Sequence, residues 1–235
     1  MTYLGQIVSA SGLKPDPQKF KAISEMPDPT DKQVIQRLLG SLNFLRGFIP
    51  DISQLTEPLR ALLKNDSAWS WGTEPIKSMS SIKELLTNAP VLQYFDVDKE
   101  TTRQTDASKS RLGAVLLQDG HPVAYASKAL SETEQNYPQI DKELLATVFG
   151  CEKFHGYVYG RPKNIQTDHN PLVTIVKKEL YKASPRLQRL LLRSLKYNIN
   201  RITYVPGKYL YLADTLSKAY IGVLGRHPVK SVYWR

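Results

Sequence analysis

The sequence TTRQTDASKSRLGAVLLQDGHPVAYASK, residues 101–128, carries the strongest fold signal in the chain. It contains three short runs: the first ends at Asp106, the second is the apolar LGAVLLQ, and the third is PVAYASK. Asp119 and Gly120 separate the second run from the third, and this dipeptide is the strongest short-range signal for a β-hairpin. We therefore predict three successive β-strands, the first of which closes at Asp106.

Helices and strands alternate after this stretch. Ser131–Glu134 predicts a capping box or a short turn, and a long helix at about residues 139–157 carries Glu143 beside its buried stripe. A strand at 163–167 ends before Asp168, and short helices, a strand at 199–205 and a last helix at 209–218 follow. This order, β-β-β-α-β-α-α-β-α, predicts an α/β fold with a mixed five-stranded sheet flanked by helices.

The part of the chain before this stretch predicts a small, mostly helical unit with a short β-entry. Residues 3–9 predict a strand, and Asp16-Pro17 predicts the start of a helix. The sequence Thr30-Asp31-Lys32-Gln33 reads as a capping box for a second helix, and residues 52–63 and 77–87 predict two more. No set of residues in this part suggests chemistry.

Charge is distributed unevenly along the 235 residues, whose formal net charge is +10. Residues 1–94 carry 10 basic and 9 acidic side chains, whereas the remainder carries 22 and 13. This excess favours a polyanionic partner for the second part. The single cysteine, Cys151, excludes an internal disulfide, fits a reducing compartment and is expected to be a buried filler. No apolar run reaches about 18 residues, so we expect neither a transmembrane helix nor a membrane partner.

Four acidic residues share a pattern that suggests a metal site. Asp106 and Asp168 each end a strand, Glu143 lies at the edge of an apolar helix stripe, and Asp214 lies on the last helix. Carboxylates crowded at one sheet edge repel, and hard divalent cations such as Mg²⁺ relieve that repulsion. Two such ions about 4 Å apart can promote phosphodiester hydrolysis. From spacing alone, scattered strand-end and helix-face acids remain an equal alternative.

Several motifs, in order, resemble one family. TDAS with GAVLLQ and AYASK, KELLA, TDHNPL, and PGK with ADTLSK resemble the ribonuclease H (RNase H) domain of gypsy-type LTR retrotransposon polyproteins. YLGQIVS, GLKPDP, LLGSLNFLRGFIP and EPLRALLK resemble the primer-grip and thumb region of the reverse transcriptase in the same polyproteins, and IKELLTNAPVLQYFD resembles its connector. The resemblance covers about residues 3–220; the tail at 221–235 resembles nothing assigned.

The resemblance implies a domain order and an activity. It implies a primer-grip and thumb-like module at 1–66, a connector at 67–98 and an RNase H-like domain at 99–220. The activity it implies is cleavage of the RNA strand of RNA–DNA hybrids with two Mg²⁺ (or Mn²⁺). The polymerase palm lies upstream in the family, so we expect no polymerase activity here. The implied catalytic and metal-binding residues are Asp106, Glu143, Asp168 and Asp214, and the implied primer grip is Tyr3, Leu4 and Gly5.

The sequence also suggests where a duplex would be held. A set of basic residues recurs at spacings of three and four and would line one helix face; its members are Arg186, Arg189, Arg193 and Lys196. Phosphate contacts there would carry no sequence preference, and a solvated helix face is the alternative. Ser108 and Asn170 are candidate contacts to the sugars of the hybrid. His169 is expected to be a local structural residue rather than a general base.

Three residues depart from the pattern of the family: Arg103, Arg111 and Pro75. Each could cost about 1–3 kcal/mol by burying charge or breaking a helical turn. Three hypotheses therefore stand: a nuclease, a catalytically inactive remnant that binds nucleic acid, and a host-adopted interaction domain. Candidate partners are an RNA–DNA hybrid or other duplex, the missing palm, or another copy of the polyprotein. The resemblance places the protein inside the cell, in the cytoplasm or in virus-like particles.

Overall fold

A computed structural model describes residues 1–3, 6–49, 52–64, 69–87, 91–161, 163–197, 199 and 201–210. Two sheets and their helices make up this part of the chain. The strands are β1 (Thr2–Tyr3), β2 (Gln6–Ser9), β3 (Gly12–Pro15), β4 (Thr101–Ala107), β5 (Arg111–Gln118), β6 (His121–Ala129), β7 (Lys163–Thr167) and β8 (Ile202–Tyr204). The helices are α1 (Pro17–Ser24), α2 (Lys32–Leu45), α3 (Ile52–Leu55), α4 (Glu57–Ala61), α5 (Thr73–Thr87), α6 (Glu132–Gln135), α7 (Gln139–Lys153), α8 (His155–Val158), α9 (Asn170–Ile175) and α10 (Pro185–Ser194).

The larger sheet has five strands in the order β6-β5-β4-β7-β8. Strands β4, β5 and β6 pair antiparallel, while β7 pairs parallel to both β4 and β8. Asp119 and Gly120 join β5 to β6 with φ angles of 50° and 77°, the left-handed conformation that a two-residue hairpin turn requires. The predicted hairpin and the mixed sheet flanked by helices are confirmed.

Helix α7 packs antiparallel across β4 and sets the geometry of the site. Successive turns of the helix meet successive residues on one face of the strand: Thr147 Oγ1 lies 3.3 Å from Thr105 Oγ1, and Cys151 Sγ lies 2.8 Å from Arg103 Nη1. Gly150 permits this close approach, because a Cβ there would lie 3.2 Å from both Ala114 and Thr105 side-chain atoms. Residues of α7 are therefore almost continuously buried.

The helical unit has its own apolar core. In α2 the buried stripe consists of Ile35, Leu38, Leu42 and Leu45, and it packs with residues of α3, α4 and α5. Asp16 caps α1 as predicted, since its carboxylate accepts a hydrogen bond from the Gln18 backbone N–H. The predicted capping box of α2 is corrected: Asp31, rather than Thr30, is the N-cap, and it accepts from the Val34 N–H.

The helical unit contacts the larger sheet at its edge strand β6. The Tyr125 N–H of β6 donates to the Gly47 carbonyl at 3.2 Å, and the Ser53 and Ser127 hydroxyls lie 2.8 Å apart in a buried contact. Phe48 is buried with Val115, Leu117, Tyr125 and Leu92 in a small apolar cluster. An edge strand with free backbone groups invites pairing with another chain, and this contact blocks β6 from doing so.

Several predicted element bounds differ from the structure for local reasons. The helix predicted at 52–63 is two short helices, α3 and α4, with Thr56 between them. Pro58 lies in the first turn of α4. Pro75 does not break α5, because it lies in the first turn, where a helix needs no N–H from it. The long helix ends at Lys153, and the helix that begins after Ser184 ends at Ser194. The strand predicted at 199–205 is limited to β8.

Among the helices in the described ranges, none is both long enough and apolar enough to span a lipid bilayer.

Candidate active site

Three of the four predicted carboxylates lie together at the end of the sheet. Asp106 is the penultimate residue of β4, and Asp168 directly follows β7, the parallel neighbour of β4. Because parallel neighbours end at the same edge, the two side chains lie close together, and the second turn of α7 adds Glu143. Carboxylate oxygens of Asp106, Glu143 and Asp168 all lie within 4.8 Å of one another.

The fourth carboxylate, Asp214, lies outside the described residues. The segment that leads towards it does reach the site. A Cβ placed on Gly207 would lie only 3.0 Å from Asp168 Oδ2, so the Pro206-Gly207 backbone passes directly beside the cluster. A larger residue at Gly207 would therefore displace Asp168.

Burial and neighbouring charge raise the pKa values of two of these carboxylates, Asp106 and Glu143. Burial, with the nearby charge of Asp168, raises the pKa of Asp106, although the Ala107 N–H and the charge of Arg111 partly offset the rise. Burial raises the pKa of Glu143 to about 8; the hydrogen bond from Gln139 lowers it, and the charges of Asp106 and Asp168 raise it further. A bound divalent cation relieves the mutual repulsion of carboxylates that lie this close together.

The oxygen atoms of Glu143 support a metal-binding role. Oε1 accepts a hydrogen bond of 2.6 Å from Gln139 Nε2, whereas Oε2 is buried and has no hydrogen-bond partner in the part of the chain that the structure describes. An unpaired buried carboxylate oxygen is costly unless it binds something. The donor set, made only of carboxylate oxygens, suits Mg²⁺ or Mn²⁺. The residues present therefore fit such an ion.

Gln139 is a site residue that the sequence analysis missed. Its Nε2 donates to the Ala107 carbonyl at 2.7 Å as well as to Glu143 Oε1. One amide thus ties Glu143 of α7 to the end of β4 that carries Asp106. The available signal was its position four residues before Glu143, on the same face of the helix.

The candidate sugar contacts flank the cluster along the chain. Ser108 follows Asp106 by two residues, and its hydroxyl is buried without a hydrogen-bond partner among the described residues. Asn170 is exposed at the first position of α9, two residues after Asp168. His169 precedes that helix, and its backbone N–H donates to Thr167 Oγ1 at 3.1 Å.

The predicted basic face is exposed but partly engaged in contacts within the protein. Arg186 pairs with the buried Asp141 at 2.9 Å and stacks 3.8 Å above the Tyr137 ring. Arg193 forms a bidentate pair with Glu152 at 3.0 and 2.9 Å. Both pairs join α10 to α7. Lys196 lies beyond α10, in the 3-10 turn Leu195–Tyr197, so only three of the four residues belong to that helix.

The predicted primer grip is described only in part. Tyr3 lies in β1 and pairs with Gln6 of β2. Leu4 and Gly5 lie outside the described residues.

Comparison with known sequences finds homologues among retrotransposon Pol polyproteins. Residues 71–165 match the RNase H-like domain found in reverse transcriptase. The chain is 37% identical over 217 residues to the retrovirus-related Pol polyprotein from transposon 297 of Drosophila melanogaster, covering 92% of this chain and 20% of that protein. It is 35% identical over 225 residues to the transposon Tf2-3 polyprotein of Schizosaccharomyces pombe, with coverages of 92% and 17%. The chain thus spans at most a fifth of these curated relatives.

Comparison with solved structures gives the same fold. The foamy viral protease-reverse transcriptase in complex with RNA/DNA hybrid covers 100% of this chain and 31% of that chain, with a TM-score of 0.75 and 22% identity. The foamy viral protease-reverse transcriptase dRH in complex with dsDNA covers 89% and 38%, with a TM-score of 0.75 and 24% identity. At these identities the likeness establishes the shared fold and nothing further.

Proposed function

Because this chain contains the RNase H-like domain found in reverse transcriptase and is homologous to retrotransposon Pol polyproteins, we propose that it is a metal-dependent endoribonuclease. Its substrate would be the RNA strand of an RNA–DNA hybrid. The observation that carries the proposal is the cluster of Asp106, Glu143 and Asp168 oxygens within 4.8 Å of one another. A nuclease that binds metal needs such a cluster, and nothing in the packing of the fold requires it.

The roles of the residues follow from their positions. Asp106, Glu143 and Asp168 would hold the ions, and Asp214 is proposed as the fourth ligand. Two bound Mg²⁺ or Mn²⁺ would activate a water molecule and stabilise the leaving oxygen of the phosphodiester. Gln139 holds Oε1 of Glu143 and leaves Oε2 available. Because Gly207 has no side chain, its backbone can lie directly beside the Asp168 carboxylate.

The proposed substrate contacts lie around the cluster. Ser108 and Asn170 would contact sugars, and the exposed Arg189 and Lys196 would contact phosphates without sequence preference. Arg186 and Arg193 already pair with Asp141 and Glu152, so we assign them mainly to positioning α10. The proposed partner is a nucleic-acid duplex inside the cell. The proposed division of the chain remains a primer-grip and thumb-like module (with Tyr3, Leu4 and Gly5 as its grip), a connector and the RNase H-like domain.

The decisive experiment is cleavage of an RNA–DNA hybrid labelled on either strand, in Mg²⁺ or Mn²⁺. We expect the wild type to cut only the RNA strand and Asp106→Asn to lose at least a hundredfold in rate. The matched control is Asp98→Asn, which removes an exposed carboxylate from a turn and should cut normally.

The alternative function is a catalytically inactive remnant that binds nucleic acid. The observation that supports it is the buried guanidinium of Arg103, three residues from Asp106 in the same strand, because a buried charge so close to the site is costly. If folded wild-type protein leaves the hybrid intact in Mg²⁺ and also in Mn²⁺, the proposed nuclease activity is refuted. Binding of that hybrid which weakens as salt rises would then identify the remnant, since phosphate contacts are salt-dependent.

A further inference from the structure

A cavity of about 380 Å³ lies at the junction between the helical unit and the RNase H-like domain. Residues of α2, α3 and α4 form one wall, and the end of β6, α7 and α10 form the other. None of the carboxylates Asp106, Glu143 and Asp168 lines this cavity. The cavity is therefore distinct from the proposed catalytic centre.

The walls of the cavity are strongly cationic. Among the described residues that line it, one is acidic, Glu152, whereas five are basic: Arg46, Arg60, Lys128, Lys153 and Arg193. Glu152 is neutralised by the bidentate pair with Arg193, and Lys128 is held by Glu134 at 2.7 Å. Arg46, Arg60 and Lys153 form no ion pair within the described ranges of the chain. Three cations without an ion-pair partner in the described part of the chain thus line one cavity.

These three cations come from three different elements. Arg46 follows α2, Arg60 lies in α4 and Lys153 ends α7. Arg46 also donates a hydrogen bond to the Ser127 carbonyl at 3.4 Å across the junction, whereas the contacts described above, the Ser53–Ser127 and Gly47–Tyr125 hydrogen bonds and the Phe48 cluster, do not involve Arg60 or Lys153. Like charges that converge on one concave surface raise its potential and attract an anion. A planar guanidinium and an ammonium group are suited to phosphate oxygens.

The same cavity has an apolar wall. Leu42, Ile52, Leu145 and Phe149 line it and are each less than a tenth exposed. A cavity of this size, with apolar residues beside a few converging charges, is typical of small-ligand sites. The combination of apolar surface and cationic groups matches a nucleotide, in which a sugar joins an aromatic base to a phosphate.

We propose that this cavity binds the phosphate group of a nucleotide, with the base against the Leu145 and Phe149 wall and the phosphate at Arg60 and Lys153. The nucleotide is either free or the 5′-phosphorylated end of a nucleic-acid strand, since both present the same chemistry. Because the two walls belong to different parts of the chain, the ligand would link the helical unit to the RNase H-like domain. Binding would then raise the melting temperature.

The test is calorimetric titration of the full chain with ADP in EDTA, so that metal at the carboxylate cluster contributes nothing. Inorganic pyrophosphate tests the phosphate site alone, and adenosine tests the base alone. We expect ADP to bind and to raise Tm, pyrophosphate to bind more weakly than ADP, and adenosine not to bind. The Asp106→Asn variant should bind ADP like the wild type, so this proposal can fail or succeed independently of the nuclease.

The variants compare equal losses of charge. Arg60→Gln combined with Lys153→Gln should weaken ADP binding at least tenfold with Tm in the absence of ligand unchanged, because both side chains are exposed. The control combines Lys21→Gln with Lys77→Gln, which are exposed in the helical unit and outside the cavity. It should bind ADP normally. Equal weakening in both double variants would overturn the site in favour of general charge attraction.

A last arm separates the two sources of the phosphate. A tetranucleotide with a 5′-phosphate is compared with the same tetranucleotide without it. Tight binding of the phosphorylated form alone, lost in the Arg60→Gln, Lys153→Gln variant, assigns the cavity to strand ends. Tight binding of ADP assigns it to free nucleotides. Absence of binding by ADP, pyrophosphate and the phosphorylated tetranucleotide at millimolar concentration overturns the proposal.

Discussion

At the scale of single residues, Glu143 is the group whose protonation is most altered by the fold. Burial raises its pKa from an ordinary 4.5 to about 8. At neutral pH without metal, Glu143 therefore retains its proton in the folded state and loses it on unfolding. A bound cation reverses this preference, because it stabilises the carboxylate. The residue thus couples protonation, metal binding and stability.

This coupling predicts a pH-dependent stability. Between pH 4.5 and about 8 the folded state binds one more proton at Glu143 than the unfolded state does. The free energy of unfolding in EDTA should therefore fall as pH rises through this interval, by up to about 1.4 kcal/mol per pH unit. Urea denaturation at several pH values measures it. Glu143→Gln should flatten the dependence, leaving the smaller contribution of Asp106; an unchanged slope in this variant would contradict the assignment.

A second residue-scale prediction concerns Arg103. Its side chain is 1% exposed, Nη1 contacts Cys151 Sγ, and Nε and Nη2 have no hydrogen-bond partner in the described part of the chain. A buried charge with unpaired donors is costly, so Arg103→Leu should raise the free energy of unfolding by about 1–3 kcal/mol.

Chemical denaturation of Arg103→Leu measures this change. The control is Arg37→Leu on the exposed face of α2, which should change stability by about 0.5 kcal/mol or less. Destabilisation of Arg103→Leu would show that the guanidinium is compensated within the core, with the Cys151 sulfur as the nearest candidate.

At the scale of elements, the packing of α7 on β4 assembles the site. The helix brings Cys151, Thr147 and Glu143 in turn along the strand, so the close contact at Gly150 and the position of Glu143 depend on each other. Gln139 fixes the end of this arrangement through the Ala107 carbonyl. The rigidity of the helix therefore sets the distance between Glu143 and Asp106.

This arrangement predicts a positioning role for Gln139. Gln139→Ala removes the tie between Glu143 and the end of β4, so the maximal rate of hybrid cleavage should fall about tenfold or more while KM changes little. Weaker Mn²⁺ binding, measured by calorimetry, should accompany it. Gln139→Asn is too short to span both contacts and should resemble Gln139→Ala; wild-type Mn²⁺ affinity in both variants would exclude the role.

At the scale of the whole molecule, the helical unit protects the sheet on which the site depends. Its Gly47 carbonyl and Ser53 hydroxyl contact β6, and Phe48 covers Val115, Leu117 and Tyr125. Strand β3 also pairs through Leu13 with Leu92, in the segment that precedes β4. These contacts make the two parts of the chain mutually dependent.

This dependence predicts the behaviour of a truncated chain. A fragment of residues 91–235 would expose the backbone of β6 and the apolar cluster beside it, so it should self-associate at concentrations where the full chain shows no increase in mass. Light scattering after size-exclusion chromatography measures the mass of each. A fragment that remains monomeric and unfolds at the same Tm as the full chain would show that the contact is dispensable.

The sequence by itself determined the features whose causes are local. The Asp119-Gly120 turn, the caps at Asp16 and Ser131, and the order of helices and strands as far as β8 depend on residues a few positions apart, so short-range patterns predicted them. The identity of the fold also followed from motifs in a fixed order. Even local signals failed where two residues compete, as when Asp31 rather than Thr30 capped α2.

Only the tertiary structure decided the contacts between residues far apart in the chain. Gln139 bridging Ala107 and Glu143, Arg103 buried against Cys151, and Arg186 paired with Asp141 all join separate elements. Such contacts depend on which faces pack together, and no pattern along the chain specifies a packing partner. For the same reason the spacing of Asp106, Glu143 and Asp168 left a common site and scattered acids as equal alternatives, and only the packing of β4, β7 and α7 brings the three carboxylates together.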